Sequence, residues 1–291
     1  MRNLIIFLFL MLPFGMSAQH MEVGLFTGVS YYSGDISLSS NILKDANFSY
    51  GIFARYNISN YFGVKANVYR GRISASDANS NDENRRLRNL SFRNDITEIG
   101  LTAEFNILGY QPYALEKIFS PYIYAGIAGF FHNPQANYED QWYNLQPLGT
   151  EGQGINGYPD LYKKFTMSVP FGAGVKVALN DKWNIGLDMG LRWTSFDYLD
   201  DLSTIYVNND ELLANSPHPN PDLVVALANR TGEYLGGEPV NYETGTSRGD
   251  DNNNDWYFMG GLTISYNFLD NGLVGSRNRG RKSKSGCNNK F

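Results

Sequence analysis

An all-β fold, an eight-stranded antiparallel up-and-down transmembrane barrel with long extracellular loops, is what three features of the 291-residue sequence predict. The first is composition. Only 18% of residues are charged, below the roughly 25% of ordinary soluble domains, while 14% are aromatic and 30 are glycine. The second is periodicity. Eight segments alternate apolar and non-apolar residues, as half-buried strands do. Most run ten residues or more, longer than the typical ~5–6 and suited to tilted strands crossing a bilayer. The third is the rhythm of the connections, short turns alternating with long loops, as in outer-membrane barrels.

The elements follow in order. Arg2 gives a positive start, Leu4 to Leu12 are apolar, and Met16-Ser17-Ala18 offers a cleavage site, so residues 1–18 are expected to be a secretory signal peptide. No cysteine lies near that site, which excludes a lipoprotein, and Cys287 has no partner, which excludes a disulfide scaffold. The barrel is expected over 19–268, with strands at 22–36, 48–58, 62–74, 95–107, 121–131, 167–179, 183–198 and 256–268. The seventh is the cleanest: Ile185, Leu187, Met189, Leu191 and Trp193 share a face opposite Asn184, Asp188, Arg192 and Thr194. Residues 121–131 are ambiguous, with apolar side chains on both faces.

Ser59-Asn60-Tyr61 and Asn180-Asp181-Lys182 are the short turns, and 110–120 is a moderate one. The stretches 37–47, 75–94, 132–166 and 199–255 read as long polar loops. On that topology the short turns and both chain ends face the periplasm, and residues 269–291 form a basic periplasmic tail. Loop 199–255 holds eleven acidic residues against Arg230 and Arg248. The tail sets Arg277, Arg279, Arg281, Lys282, Lys284 and Lys290 against Asp270.

The non-apolar face places Glu22, Arg55, Lys65, Glu98, Glu104, Lys176, Asp188 and Arg192 in the lumen. Eight strands leave room only for side chains. These four carboxylates and four cations are therefore expected to interlock as a charge-paired plug, without an open pore. Structural filling is preferred to a catalytic carboxylate pair or proton path. Tyr31, Tyr32, Tyr56, Tyr61, Phe62, Trp183, Trp193, Tyr198 and Trp256 sit near strand ends and read as interfacial girdles. The last strand ends Tyr266-Asn267-Phe268, an aromatic terminus of the kind that barrel-insertion machinery reads.

Other chemistry finds little support. Asp251-x-Asn253-x-Asp255 is followed by Trp256 where a calcium loop needs glycine, and Leu262 stands where a bidentate glutamate belongs. His20, His132 and His218 lack partners at zinc-ligand spacing. His132, Ser195 and Asp197 top their strands, but no nucleophile-elbow spacing supports them. Arg248-Gly249-Asp250 is a lone tripeptide. The expectation is no enzyme, no cofactor, no metal, no nucleic acid and no small-molecule substrate; the partners expected are membrane lipid and protein.

Three stretches carry a family resemblance. Gly28-Val29-Ser30-Tyr31-Tyr32-Ser33-Gly34-Asp35-Ile36 closes the first strand. Asn133-Pro134 leads through Tyr138 and Trp142-Tyr143 into Leu145-Gln146-Pro147-Leu148-Gly149-Thr150-Glu151-Gly152-Gln153-Gly154. Trp193-Thr194-Ser195-Phe196-Asp197-Tyr198-Leu199-Asp200-Asp201 ends the seventh. Together they resemble the PorG family, the OmpA/OmpX-like outer-membrane barrel of the type IX secretion system of Bacteroidetes. The resemblance implies a small barrel that touches the periplasmic ring of the PorK lipoprotein and PorN. The family offers no catalytic residues to transfer. Ring contact is expected at 110–120, with Tyr113 and Lys117, and along Arg277, Arg279, Arg281, Lys282 and Lys284. Leu145-Gln146-Pro147-Leu148-Gly149 is apolar for a loop and is expected to fold over the mouth or meet a partner. Asp197, Asp200 and Asp201 are expected opposite Arg85, Arg86 and Arg88. An OmpA-like surface or adhesion barrel, and a lipid-modifying enzyme, are the alternatives.

Overall fold

A computed structural model describes residues 21–36, 45–111, 117–251 and 253–268. The signal-peptide reading, Tyr113 and the basic tail with Arg277, Arg279, Arg281, Lys282 and Lys284 lie outside the described residues.

The chain closes into an eight-stranded antiparallel barrel. Its walls are β1 (Met21–Ser33), β2 (Asn47–Asn57), β3 (Phe62–Ser76), β4 (Ser91–Asn106), β5 (Phe119–Phe131), β8 (Phe165–Ala178), β9 (Trp183–Thr194) and β10 (Trp256–Phe268). Each pairs with its neighbour in sequence, and β1 closes the ring on β10 from Met21↔Phe268 to Ser33↔Trp256. Closure leaves no unpaired edge.

Alternation in the sequence becomes inside and outside. In β9, Ile185, Leu187, Met189 and Leu191 face outward, while Asn184, Asp188, Arg192 and Thr194 are buried in the lumen. The outer face leaves large apolar side chains bare all round the ring: Leu25, Ile52, Ile127 and Leu262 are 57–63% exposed. Water-soluble monomers rarely expose so extended an apolar belt, and hydrocarbon is the solvent that suits it. Aromatic rings edge the belt. Tyr61, Phe62 and Phe105 cluster at the short-turn end, with Trp183 against Tyr266. Phe48 stacks on Tyr50, and Phe131 packs at a tilt against Phe165, at the other end. Tyr32 departs from the girdle expectation. An even position in β1 points inward, and its ring is 1% exposed.

The ambiguous 121–131 segment resolves in the same way: Ile123 and Ile127 face out, and Tyr122, Tyr124, Ala128 and Phe130 fill the interior. Strand limits differ from expectation where the barrel rises above the belt. β4 begins at Ser91, four residues early, because the β3–β4 pairing runs on to Ser76↔Ser91. β9 stops at Thr194, where the Thr194 hydroxyl bonds the carbonyls of Phe196 and Asp255 at 2.8 Å and turns the chain.

The larger correction concerns the long connections. They are not merely polar loops but fold into a cap on the barrel mouth. Within 132–164, β6 (Pro134–Tyr138) and β7 (Gln141–Asn144) form a hairpin docked on β4 through Arg93↔Gln135. Helix α1 (Glu83–Arg88) lies in the β3–β4 connection; α2 (Asn209–Asn215), α3 (Pro221–Ala228) and α4 (Thr231–Leu235) lie in the acidic 199–255 stretch. Helix α3 begins on Pro221 with Asn220 capping Leu223 N–H at 3.2 Å. Its Leu223, Val224, Val225, Leu227 and Ala228 are buried. They join Ile36, Leu90, Phe92, Leu145, Leu148, Leu199, Leu202 and Leu212 in one apolar core that continues into the lumen through Phe130 and Tyr257.

Candidate functional site: the plugged lumen and the sealed mouth

The lumen residues are supplied by six strands. Arg55 Nη1 bonds Glu22 Oε2 at 2.7 Å, and Arg55 Nε lies 2.8 Å from Glu104 Oε2. Glu104 also takes Lys176 at 2.8 Å and Lys65 at 3.6 Å, and Lys65 Nζ reaches Asp188 at 2.5 Å. Higher up, Arg192 Nε meets Glu98 at 3.0 Å. All eight of these side chains are buried. Neutral groups add hydrogen bonds to three of the carboxylates: Asn57 and Ser265 donate to Glu22, Asn67 and Tyr257 to Glu98, and Tyr122 to Asp188. Buried charges are tolerable when so paired and hydrogen-bonded. Aromatic rings do the rest of the filling, with Phe26 stacked on Tyr69 at 4.6 Å and Phe130 edge-on to Tyr257 at 5.3 Å. A glycine makes room where a ring leans on the wall. A Cβ at Gly190 would lie 1.9 Å from Tyr124 Oη.

The three stretches that carry the family resemblance meet at the mouth. Tyr32, from the first, donates toward Asp200 of the third at 2.5 Å and toward Asp255 at 2.7 Å, and accepts from Asp35 N–H at 2.9 Å. Thr150 of the second bonds Asp201 of the third at 2.7 Å, and Tyr162 approaches the other oxygen of Asp201 at 2.5 Å. Glu151 is the hub. It accepts from Ser203 N–H at 3.0 Å, from the Thr204 hydroxyl at 2.8 Å and from Arg248 at 2.9 Å. Leu145 and Leu148 are buried, so the apolar stretch folds down over the mouth. Gly149, at φ +63°, supplies the left-handed turn that swings Thr150 and Glu151 inward.

A phenol has one proton. With Asp35 N–H already donating to Tyr32, both short carboxyl contacts are hydrogen bonds only if Asp200 or Asp255 is protonated. Burial raises both carboxyls well above the ordinary range, and the charge of Asp200 adds to the effect on Asp255. Burial also raises Asp201 to about 6, against the lowering effect of Arg248, and Asp197 to about 7.

The expected pairing of Asp197, Asp200 and Asp201 with Arg85, Arg86 and Arg88 is not what forms. Arg88 clamps Asp77 at 2.8 Å and donates to the carbonyls of Arg248 and Asp35. Arg85 donates to the Asp35 carbonyl and Arg86 to that of Ser80. These arginines donate to backbone carbonyls of the buried residues Asp35, Ser80 and Arg248. Arg248 is buried, its guanidinium on Glu151 and the carbonyls of Asp201 and Ala228, so it is withdrawn from any external partner. His132 is buried among Phe130, Tyr162 and Phe196, with Nε2 on the Lys163 carbonyl at 3.0 Å and its pKa lowered to about 4 by burial. Its ring nitrogens bond neither Ser195 nor Asp197. Among the described residues no three His, Cys, Asp or Glu side chains are grouped to hold a metal ion. At the opposite end, Lys117 lies over the Tyr61 ring at 5.0 Å, its ammonium 3.3 Å from the Tyr61 hydroxyl.

Known proteins give a family but no activity. The family model described as "Domain of unknown function (DUF6089)" matches residues 1–214. The chain belongs to this family. The matched region holds all three converging stretches and ends inside α2, short of α3, α4 and β10. No curated protein matches the chain. Among solved structures it is similar to Ail, the attachment invasion locus protein of Yersinia pestis, crystallised with sucrose octasulfate, at 10% identity and TM-score 0.39, over 85% of this chain and 97% of that one. Neisserial surface protein A matches at 11% and 0.40, covering 85% and 97%. Outer Membrane Protein W of E. coli matches at 15% and 0.33, covering 86% and 99%.

Proposed function

We propose that this DUF6089 protein is a non-enzymatic outer-membrane barrel that anchors a type IX protein secretion machine. In this reading it contacts periplasmic ring proteins of the PorK and PorN kind. The observation that carries the reading is the double seal: a lumen filled by ion pairs and aromatic rings, beneath a mouth closed by the cap. A sealed barrel offers no route for solute, so its work is done by its surfaces. The short-turn end holds Met21 and Phe268, where the chain enters and leaves the barrel, and this end faces the periplasm in the proposal. Lys117 is there, and the basic tail follows Phe268. The resemblance of the three mouth stretches to the PorG family supplies the machine; the sealed geometry suits a part that holds rather than conducts.

Deletion of the gene is the test. Loss of secreted cargo, together with co-purification of ring proteins on the tagged barrel, is the expected result. A second reading has one observation in its favour: the cap presents Leu213, Tyr234 and Leu235 exposed on its helices. Unchanged secretion with lost surface attachment would favour that adhesive barrel. An altered acyl count on lipid A would favour a lipid-modifying enzyme.

A further inference from the structure

One charged patch lies outside both the lumen and the cap core. On the outer face of β3 the apolar run Phe62, Val64, Ala66 and Val68 gives way to Arg70 and Arg72. On β4 the outward run Phe105, Ala103, Leu101 and Ile99 gives way to Thr97, Asp95 and Arg93. From Phe62 to Arg70 is eight residues; at about 3.3 Å each and a tilt of about 40° that is roughly 20 Å along the membrane normal, close to the height of an apolar belt. Arg70 stands opposite Tyr50 and Thr97 in register, so the arginines lie level with the upper aromatic ring.

The patch is under-neutralised. Asp95 is engaged by Arg72 through two bonds of 2.6 and 3.1 Å, and Arg70 lies 3.8 Å from it. Arg93 is held flat on Trp142 at 3.5 Å and donates to Gln135. Two guanidiniums thus share one carboxylate, and the third, Arg93, has no ion pair with it. Beside them is an open cleft of about 410 Å³ lined by Asn47, Phe48, Tyr50, Arg70, Arg72 and Asp95. One wall is aromatic and apolar, the other cationic and rich in donors. Arginine forks are matched to phosphate oxygens, and aromatic rings at a membrane edge accept acyl chains.

We infer that this cleft docks the phosphate-bearing headgroup of an outer-leaflet glycolipid of the lipopolysaccharide class, its acyl chains lying down the belt beneath Tyr50. The inference rests on the reading above that the long-loop end faces outward. The phosphate sits against Arg70 and Arg72 and displaces part of the hold on Asp95. A free anion would gain the charge but not the apolar wall.

The test uses the full chain in phospholipid nanodiscs, titrated with lipid A, with lipid A stripped of phosphate, and with inorganic phosphate, and read by native mass spectrometry. R70Q should lose about fivefold in affinity for lipid A and R70Q/R72Q about 25-fold, on a scale of roughly fivefold for each surface arginine. R70K/R72K should retain most of it, and D95N, which removes the competing carboxylate, should bind tighter than wild type. Unaltered affinity in R70Q/R72Q, with heat-modifiable mobility showing a folded barrel, overturns the inference. So does equal binding of the dephosphorylated lipid, or of inorganic phosphate alone. Failure of the wild-type chain to insert would instead overturn the membrane reading, and this site with it.

Discussion

Asp200 and Asp255 hold one hydroxyl between them: Tyr32 Oη lies 2.5 Å from the first and 2.7 Å from the second, at the seam between barrel and cap. The remaining oxygens accept backbone N–H groups, Leu202 on Asp200 at 3.0 Å and Leu199 on Asp255 at 2.8 Å. This arrangement fixes the chain leaving β9 to the chain entering β10. Tyr32→Phe removes the shared donor and leaves two buried carboxyls facing each other. We expect a loss of about 1–3 kcal/mol, the usual cost of stranding a buried polar group. Limited proteolysis of the folded barrel should then cut the cap faster while the strands persist. Cap resistance equal to wild type would contradict the shared-proton account.

The same carboxyls set a pH dependence. A carboxyl whose folded pKa is raised binds its proton more tightly in the fold, so stability falls as pH rises from the unfolded value near 4 to the folded one. With Asp201 at about 6 and Asp197 at about 7, and Asp200 and Asp255 shifted in the same direction, the cap gains stability between pH 7 and pH 5. His132, lowered to about 4, works against this, because the unfolded chain binds its proton first from near pH 6.5 downward. One histidine opposes several carboxyls. Protease half-life of the cap should therefore lengthen from pH 7.5 to 5.5, and more steeply in His132→Gln; a shortened wild-type half-life contradicts the assignment.

In the lumen, Glu104 is the carboxylate that three cations share. Glu104→Gln leaves Arg55, Lys65 and Lys176 close together with one counter-charge removed. Breaking such a buried set typically costs about 3–5 kcal/mol, readable as a lowered urea midpoint of the barrel in micelles. A shift under about 1 kcal/mol would show that the lumen is wetter than the packing implies.

Leu187→Arg and Leu191→Arg place a cation on the outer face of β9. Near mid-bilayer this costs about 2–4 kcal/mol, enough to lower the amount reaching the membrane. Normal membrane levels of both variants would mean that this face meets something other than lipid.

Truncation after Phe268 leaves every barrel strand intact and removes the basic tail. The shortened protein should still show heat-modifiable mobility but recover less of the ring proteins on purification. Full recovery would discard the tail as a contact.

The barrel was legible because a wall strand has only two environments, and residues such as Leu187 and Asp188 declare theirs by polarity alone. The eight lumen charges lay on the non-apolar face for the same reason. Tyr32 was misplaced because tyrosine suits both a girdle and a lumen, and only register separates them. The cap was legible only in part: Leu145-Gln146-Pro147-Leu148-Gly149 declared itself by its apolar run, but the helices did not. Its helices are short, five to eight residues each, and acidic residues dilute the apolar ones, so 199–255 reads as a solvated loop. The signal present was Leu223 to Ala228, an apolar run opened by Asn220-Pro221. The mouth contacts were hidden for another reason. Glu151 lies in one long loop while Asp201 and Arg248 lie 47 residues apart in another, and nothing in the spacing of a long loop says which groups will meet. Nor does it say that Arg85, Arg86 and Arg88 will donate to the carbonyls of Asp35, Ser80 and Arg248 instead of meeting the aspartates.

The claim on which the rest stands is that hydrocarbon, not water, bathes Ile185, Leu187, Met189 and Leu191. Refolding from urea, with and without phospholipid vesicles, measures it directly by far-ultraviolet dichroism and electrophoretic mobility before and after heating. The account predicts β-structure and a heat-modifiable band only when vesicles are present. The same cooperative fold in plain buffer would contradict it.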